Sequence, residues 1–459
     1  MKKSTLLSNA FTLFKFYLND TLSGLLHHPI LRNKLTRIIL VFGGVIFYLW
    51  YFYINMRSFS NLGDVNIFPK LATLTKVTII SYINMFLILG LYISTFINTT
   101  LNFNNTNLFI TNLLPFSKKE ITLGQKLFKL SVSLVLFELC LIIVFPFFTR
   151  IAIISLLDLI LLLLIFHHCF ILSFLAVDAI YSFVLKFISI KATKLSSIVT
   201  FIFDIFIIAI ATLYMLVYRF PVENIIGHSS VSISFIILTT YILTFLIILT
   251  IITIILKFNL YTPIYFKRKI FLSSISLSKL GLLYTLPAIF RQKNFIYSLT
   301  TIAIMSIITW VQSGIHASLY IFCNFYFLIN ITGINYASST IKFRKFYSFY
   351  RISTINEFIS LILSAVVLSI PQLIVLTYLR DTQNSILITY SFFAIALIFG
   401  FLFPKFNGIL NEIFSVSLSM ILIFVIYQLL TSNSVFISIV IILFAILFII
   451  LQKERVEIE

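Results

Sequence analysis

The strongest constraint on the fold is a succession of apolar runs that fills most of the sequence. A helix needs about 20 apolar residues to cross the hydrocarbon core of a bilayer, and most of these runs reach that length. They do not alternate between polar and apolar residues, which argues against the strands of a membrane barrel. Of the 459 residues, 60% are hydrophobic and only 10% are charged, which excludes a soluble globular protein. The sequence therefore predicts an all-α membrane protein.

We predict about twelve transmembrane helices in two sets of six, bounded by charged residues. The first set is 38–56, 77–99, 130–149, 151–177, 197–218 and 232–256. The second set is 295–311, 315–337, 356–379, 384–403, 412–430 and 434–451. The predicted organisation is a first six-span half at 1–256 with an N-terminal interfacial helix, a basic cytoplasmic linker or interfacial segment at 257–294, and a second six-span half at 295–459 with a short cytoplasmic tail.

Positive charge is distributed unevenly among the predicted loops. When the N-terminus is placed inside, most of the 33 lysine and arginine residues fall in inner loops and termini. Cytoplasmic loops of membrane proteins retain such residues, so we predict that both termini are cytoplasmic. The net charge of +19 is spread along this inner side instead of forming one basic arm. This spread favours contact with anionic membrane lipid and no nucleic-acid partner.

A short motif stands before the first predicted span and again before the seventh. Each copy contains Pro, apolar residues, Arg, an amide side chain and Lys, and its basic residues are Arg32 and Lys34 in the first copy and Arg291 and Lys293 in the second. The segment ahead of the first copy places one set of apolar residues on a single helical face: Leu7, Phe11, Phe14, Leu18, Leu22 and Leu25. We predict interfacial amphipathic helices at these places, with a less regular pattern in the second.

A helix start is predicted within residues 114–121, because Ser117 and Glu120 have the spacing of a capping box. This helix is expected to run on into the third span. Thr354 and Glu357 have the same spacing at the matching place before the ninth span, so we predict an internal duplication. Each half has an even number of spans and begins inside. The halves are therefore expected to be parallel repeats with the substrate path between them.

Four ionisable residues inside predicted spans are candidates for function: Glu138 in the third span, and Asp158, His167 and His168 in the fourth. Ionisable groups are costly in a membrane, and function is the usual reason for their presence. They could form a proton or cation relay. We favour the alternative, in which they pair across facing helices or with the backbone, or lie near an interface. Three scattered cysteines and the lack of a ligand cluster predict no disulfide framework and no metal site.

The sequence contains no P-loop and no common hydrolase motif. We therefore predict no nucleotide-binding site and no catalytic site on this chain. The energy for any transport must come from a partner chain or an ion gradient.

The order of these features resembles the membrane subunits of the ABC-2 family of exporters, in which an interfacial helix with an Arg-containing motif and two spans precede a segment like 114–121. The residues that match with the family pattern are Arg32, Pro115, Ser117, Lys119, Glu120 and Lys126. The second half keeps Arg291, Thr354 and Glu357 but has Ile352 at the place of Pro115. By this resemblance, the coupling region that meets an ATPase comprises Pro115, Ser117, Lys118, Lys119 and Glu120, with Thr354 and Glu357 in the second half.

The resemblance implies a permease subunit of an ABC exporter, with ATP and Mg²⁺ on two copies of a separate ATPase chain and no cofactor on this chain. Fused twelve-span members look like exporters of antimicrobial or bacteriocin-like peptides, so a hydrophobic or amphipathic substrate (peptide, drug or lipid-like) is expected. The bias towards Ile, Phe, Asn and Lys is typical of an AT-rich genome and suggests the cell membrane of a low-GC Gram-positive bacterium. An ion-gradient-driven carrier and, less favoured, an intramembrane enzyme remain as alternatives.

The charge distribution predicts the topology of the chain directly. A reporter fused after Glu459 should lie in the cytoplasm, and one inserted between Asn61 and Asp64 should lie outside, because the first span crosses between them and the inner loops hold most of the positive charge. Enzymatic reporters that are active on only one side of the membrane measure this. Two reporters on the same side would show that the twelve-span assignment is wrong.

Overall fold

We describe a computed structural model of the chain. The residues that the structure describes are 6–26, 38, 42–46, 48–53, 68–101, 111, 113–145, 155–188, 195–257, 284–290, 292–340, 352–379, 384–404, 409–429 and 433–456. They are helical apart from short connections, and none of them lies in a β-strand. The chain divides into two compact units, Met1–Lys267 and Arg268–Glu459, and each is described by itself.

Long apolar helices dominate the described residues. Within the described part of the chain, nine helical segments are long and apolar enough to cross a membrane: Thr73–Thr100, Lys118–Val144, Leu156–Val184, Val199–Gly227, Ile233–Ile255, Asn294–Thr340, Thr354–Leu379, Ser385–Leu402 and Val435–Glu454. Of two shorter apolar helices, Phe42–Tyr53 falls within the predicted first span and Leu410–Ile423 overlaps the predicted eleventh span. The predicted all-α membrane class is confirmed. The count of twelve spans stays a prediction.

Besides the helix Phe42–Tyr53, the described part of the first unit contains seven helices, the first of which is amphipathic. They are α1 (Leu6–Leu26), α2 (Phe68–Thr100), α3 (Lys118–Val144), α4 (Leu156–Ile188), α5 (Leu195–Leu213), α6 (Arg219–Gly227) and α7 (Ile233–Lys257). A π-helical turn, Tyr214–Tyr218, joins α5 to α6. The helix α4 continues without a break past the end of the predicted fourth span, so the residues up to Ile188 are helical rather than a loop.

The helix α4 is the centre of the first unit, because α2 and α7 pack extensively against it. Close approach between α2 and α4 requires a small residue at Gly90, where an added Cβ would lie 2.8 Å from Cβ of Ser173. The Ser173 hydroxyl donates to the carbonyl oxygen of Leu87 across this contact, at 2.8 Å. Small residues let membrane helices approach closely and exchange hydrogen bonds, so this contact fixes the two helices against each other.

A polar network joins α2 to the π-helical turn and α6. Arg219 pairs with Glu223 at 2.8 Å, Asn84 donates to the same Glu223 oxygen at 3.4 Å, and the Tyr214 hydroxyl donates to Asn84 Oδ1 at 3.0 Å. Glu223 is almost wholly buried, so these partners supply what water would otherwise supply. The wide turn therefore has a structural role: it brings Tyr214 and Arg219 to the same polar cluster.

The second unit is formed by helices with one irregular stretch. They are α8 (Leu286–Phe290), α9 (Lys293–Phe325), α10 (Ile334–Thr340), α11 (Thr354–Leu379), α12 (Asn384–Leu402), α13 (Ile409–Leu429) and α14 (Asn433–Val456). A 3₁₀-helical stretch, Tyr326–Gly333, joins α9 to α10. The core is built around α12, in which every side chain from Phe392 to Leu397 is fully buried. A helix that is apolar all round belongs in the interior, and α12 has this position in its unit.

The residues of α9 form a helical hairpin rather than one straight helix. Gly314 interrupts the helix with a φ of 85°, a left-handed conformation that glycine adopts without strain. The Ser318 hydroxyl donates to the carbonyl oxygen of Ser306 at 2.8 Å. A continuous helix would separate these residues by about 18 Å along its axis. The fold at Gly314 thus gives two antiparallel arms, which correspond to the predicted seventh and eighth spans.

The hairpin can be tested with a disulfide between its arms. In a cysteine-free background, a chain with Ser306→Cys and Ser318→Cys should form an intrachain disulfide under mild oxidation, because the fold at Gly314 brings the two residues together. Mass spectrometry of the peptides measures the bond. The matched control is Ser298→Cys with Ser306→Cys, two residues on the same arm that should not cross-link. Equal cross-linking of both pairs would contradict the hairpin.

Candidate functional site

The predicted capping box at the start of α3 is confirmed. Glu120 N donates to Oγ of Ser117 at 3.3 Å, and Ser117 N donates to Oε2 of Glu120 at 2.7 Å. These two bonds satisfy backbone donors that have no partner within the helix. The helix then runs to Val144, as expected, so the capped start and residues 130–144 of the predicted third span belong to one helix.

The start of α3 is also held by a tertiary contact that local sequence patterns did not predict. Asn9 of α1 donates from Nδ2 to Oε1 of Glu120 at 2.7 Å. One turn further along α3, an added Cβ at Gly124 would lie 2.9 Å from Cβ of Leu13 and 3.1 Å from the carbonyl oxygen of Ala10. The absence of a side chain at Gly124 therefore allows the backbones of α1 and α3 to meet. A glycine placed two turns after a helix start was the sequence signal for this contact.

The face of α1 that packs on α3 differs from the predicted apolar face. Ala10, Leu13, Tyr17 and Thr21 are buried on the packed side. Three residues of the predicted face remain exposed: Leu7 at 70%, Phe11 at 50% and Leu22 at 40%. Polar residues such as Ser8, Thr12, Lys15 and Asn19 are exposed on a third side. The helix thus has one protein-facing side, one exposed apolar side suited to lipid and one polar side.

The segment that leads into α3 is exposed. Leu113 is 70% exposed, and Pro115, Ser117, Lys118 and Lys119 are exposed with it. The exposed residues adjoin the buried Glu120, whose carboxylate accepts bonds from Asn9 and from the backbone of Ser117. The arrangement is a basic surface on a fixed helix end.

The corresponding start of α11 differs from the prediction in its capping residue. Thr354 was predicted to cap this helix, but it is the first helical residue, and Ser353 Oγ accepts from Asn356 N at 3.1 Å. Glu357 is buried and accepts from the Tyr336 hydroxyl at 2.9 Å. Ser353 is the capping residue because it lies just before the first helical residue, which is the position from which a side chain can cap.

Thr285, near the start of the described part of the second unit, packs on α11. Thr285 Oγ1 lies 2.8 Å from Oγ of Ser360 and 2.7 Å from Oγ of Ser364, and all three residues are buried. No sequence motif marks these residues, because single hydroxyl groups are common in helices. The same holds for the buried Glu412, whose Oε1 accepts from the side-chain amides of Asn294 and Asn335 at 3.0 and 2.8 Å.

Two of the four intramembrane candidates pair with each other. His167 Nε2 of α4 lies 2.8 Å from Oε1 of Glu138 on α3. The other ring nitrogen, Nδ1, lies 2.7 Å from the carbonyl oxygen of Leu163. The side chains of Glu138 and His167 are 38% and 33% exposed, so the pair lies at the surface of its unit. These two residues therefore pair across facing helices, as the favoured alternative predicts.

The other two candidates have separate surroundings. Asp158 is buried in the first turn of α4, where Oδ2 accepts from the hydroxyls of Ser155 at 2.8 Å and Ser234 at 2.9 Å. His168 points away from the Glu138 pair, and its ring stacks on Tyr241 with centroids 5.0 Å apart. The four candidates therefore do not converge on one site.

Lysines of α3 have partners on neighbouring helices that the sequence analysis did not assign. Lys126 Nζ lies 2.6 Å from Oδ2 of Asp178 on α4, and Lys129 Nζ donates to Oδ1 of Asn98 on α2 at 3.0 Å. Lys129 is only 2% exposed. These contacts join α3 to α2 and α4 beside the capped start.

Some predicted site residues lie outside the described residues: Arg32, Lys34, Arg291 and the side chain of Lys293. Within the described part of the chain, no group of three or more His, Cys, Asp or Glu side chains could hold a metal ion. Comparison of the chain with protein-family models, curated proteins and solved structures finds no match.

The contact at Gly124 predicts how α1 is held. Gly124→Leu should displace α1 from α3, because even a Cβ at this position meets Leu13 and the backbone of Ala10. The reporter is Thr21→Cys in a background without other cysteines, since Thr21 is 3% exposed on the packed face. Labelling by a water-soluble maleimide should be low in the parent and should rise with Gly124→Leu.

The matched control for this experiment is Gly44→Leu, because an added Cβ at Gly44 meets nothing within 4 Å. It should leave the labelling of Thr21→Cys unchanged. If Gly124→Leu also leaves it unchanged, α1 does not depend on close contact at Gly124.

Proposed function

We propose that the chain is the membrane subunit of an ABC exporter and that a separate ATPase drives it. The main support is the exposed basic surface of Lys118 and Lys119 at the capped start of α3, which Asn9 ties to α1 through Glu120. An ATPase can act on a membrane partner only through elements that it contacts. A rigid helix end that continues into a span is suited to transmit such motion.

The polar contacts along α3 support its role as the moving element. Beyond the capped start, Lys126 pairs with Asp178 and Lys129 binds Asn98. A displacement of the helix end would therefore also displace α4 and α2. Polar contacts between membrane helices resist sliding because their partners cannot be replaced by lipid. We propose that α3 transmits force to these two helices as one body.

We also propose the twelve-span organisation as two parallel six-span repeats in the cell membrane, with both termini in the cytoplasm. It is supported by the hairpin at Gly314, which provides two apolar arms from one element. It is further supported by a polar bond in each unit between the chain ahead of the capped helix and that helix, from Asn9 to Glu120 of α3 and between Thr285 and Ser360 of α11. The proposed substrate is hydrophobic or amphipathic, because the chain offers mainly apolar helix surfaces.

An ion-gradient-driven carrier is the second candidate function. The observation that favours it is the pair of Glu138 and His167, which can hold a proton between two helices. The two functions differ in their requirement for a partner. A carrier of this kind would transport substrate without an ATPase, whereas the proposed exporter would not.

The proposed coupling surface can be tested by charge reversal. Lys118→Glu and Lys119→Glu, alone and together, should weaken co-purification of the chain with its partner ATPase and should lower the stimulation of ATP hydrolysis. Both lysines are exposed, so the membrane abundance of the variants should match the parent. Pull-down from membranes and the hydrolysis rate of the purified complex provide the two measurements.

Lys453→Glu is the matched control, because Lys453 is also exposed but lies on α14 in the second unit. It should leave partner binding unchanged. Equal effects of Lys453→Glu and the variants at Lys118 and Lys119 would argue against a specific surface. ATP hydrolysis by the purified chain alone, or transport driven by a proton gradient with no ATPase present, would contradict the proposed function.

A further inference from the structure

The hydrogen bonds of His167 determine how many protons its pair with Glu138 holds. A carbonyl oxygen only accepts, so Nδ1, which lies 2.7 Å from the Leu163 oxygen, carries a proton. Nε2 lies 2.8 Å from Oε1 of Glu138, and a second proton must lie between these two atoms. The pair is either an imidazolium with a carboxylate or an imidazole with a carboxylic acid. In both forms its net charge is zero.

The pair lies on a surface that is otherwise apolar. Val135 and Ile142, one turn before and after Glu138 on α3, are 57% and 43% exposed, and Leu164 on α4 is 42% exposed. A pair of ionisable groups is costly against lipid hydrocarbon, and such groups commonly face a water-filled path or a polar ligand. The exposed carboxylate of Glu138 therefore suits contact with a molecule that has an apolar body and a polar, positively charged group.

Other titratable groups near the pair are engaged elsewhere. On the helix Phe42–Tyr53, the hydroxyls of Tyr48 and Tyr51 donate to the carbonyl oxygens of Ile142 and Ile143, at 3.2 and 2.8 Å. His168 stacks on Tyr241, and the carboxylate of Asp158 accepts from two serines at the start of α4. On α2, Phe86 packs against the ring of Phe137, and a phenylalanine side chain cannot titrate. Within the described residues, Glu138 and His167 are thus the two groups that share this proton.

We propose that Glu138 and His167 form a binding site for the positively charged group of an amphipathic substrate, which enters in exchange for a proton. The cation binds to the Glu138 carboxylate, and the proton between Oε1 and Nε2 leaves to water. His167 remains as a neutral imidazole with its proton on Nδ1. One positive charge enters and one leaves, so the site has zero net charge before and after. The inference rests on the proposed function, because it takes the exposed surface around Glu138 and His167 to border the substrate path of the exporter.

The exchange gives the site a preference among substrates. A neutral apolar molecule cannot replace the proton, so it gains only the contact with residues such as Val135 and Leu164. An anion would meet the carboxylate with a like charge. A lipophilic ammonium or phosphonium, or a lysine side chain of an amphipathic peptide, matches both the apolar surroundings and the carboxylate. The site therefore selects amphipathic cations.

Titration calorimetry of the full chain in lipid nanodiscs, without any ATPase, tests the proposal. The probe is tetraphenylphosphonium, with triphenylphosphine oxide as its neutral analogue and empty nanodiscs as the background. Titrations in buffers with different ionisation enthalpies measure the protons released on binding. We expect the cation to bind with proton release and the neutral analogue to release none. Glu138→Gln, which has no carboxylate to neutralise the cation, should weaken cation binding by roughly tenfold or more.

Asp158→Asn is the matched control, because it removes a different carboxylate. Asp158 lies on α4, where it is buried and bonded to Ser155 and Ser234. It should bind the cation as the parent does. Wild-type affinity in a folded Glu138→Gln chain would overturn the proposal. If that variant does not fold, cation binding to the parent chain without proton release overturns it equally. A failure of the ATPase experiments with intact cation exchange would refute the exporter and leave this site in place.

Discussion

The structure depends on one constraint: polar groups on helices in a membrane have no water to bind and must find partners within the protein. Glu138 has His167, Asp158 has two serines, and Glu412 has two asparagine amides. Each of these contacts joins different helices or a helix to its own start. In an otherwise apolar chain, such contacts give the helices a defined order and register, because apolar surfaces alone would pack in many ways.

Close contact between backbones is the second requirement for these polar bonds. Hydrogen bonds between short side chains form only when the helices approach closely, and a bulky residue at the contact would hold them apart. Gly90 and Gly124 supply the space for α2 against α4 and for α1 against α3. The chain has only 12 glycines. Each of these two glycines lies beside a hydrogen bond that joins the same two helices. Gly90 lies beside the bond of Ser173, and Gly124 lies beside the bond of Asn9.

The two capped starts show how similar local sequences acquire different roles. Glu120 binds its own helix start and Asn9 of α1, and it lies beside exposed lysines. Glu357 accepts instead from Tyr336, a fully buried residue of the core in its unit. A change at the first start is therefore expected to act on a surface, whereas a change at the second acts on a core.

The sequence by itself determined the all-α membrane class, most of the helix positions and the cap of α3, because these depend on hydropathy and on residues close together in the chain. Only the tertiary structure decided which polar groups meet. Asn9 and Glu120 are 111 residues apart, so no local pattern could pair them. The buried face of α1 likewise follows from Gly124 on another helix, which selects Ala10 and Leu13 over the more apolar side with Leu7 and Phe11. An apolar side chain is stable both against lipid and in the protein interior, so hydropathy does not tell which of the two it contacts. The fit between the helices decides which face is buried in the protein.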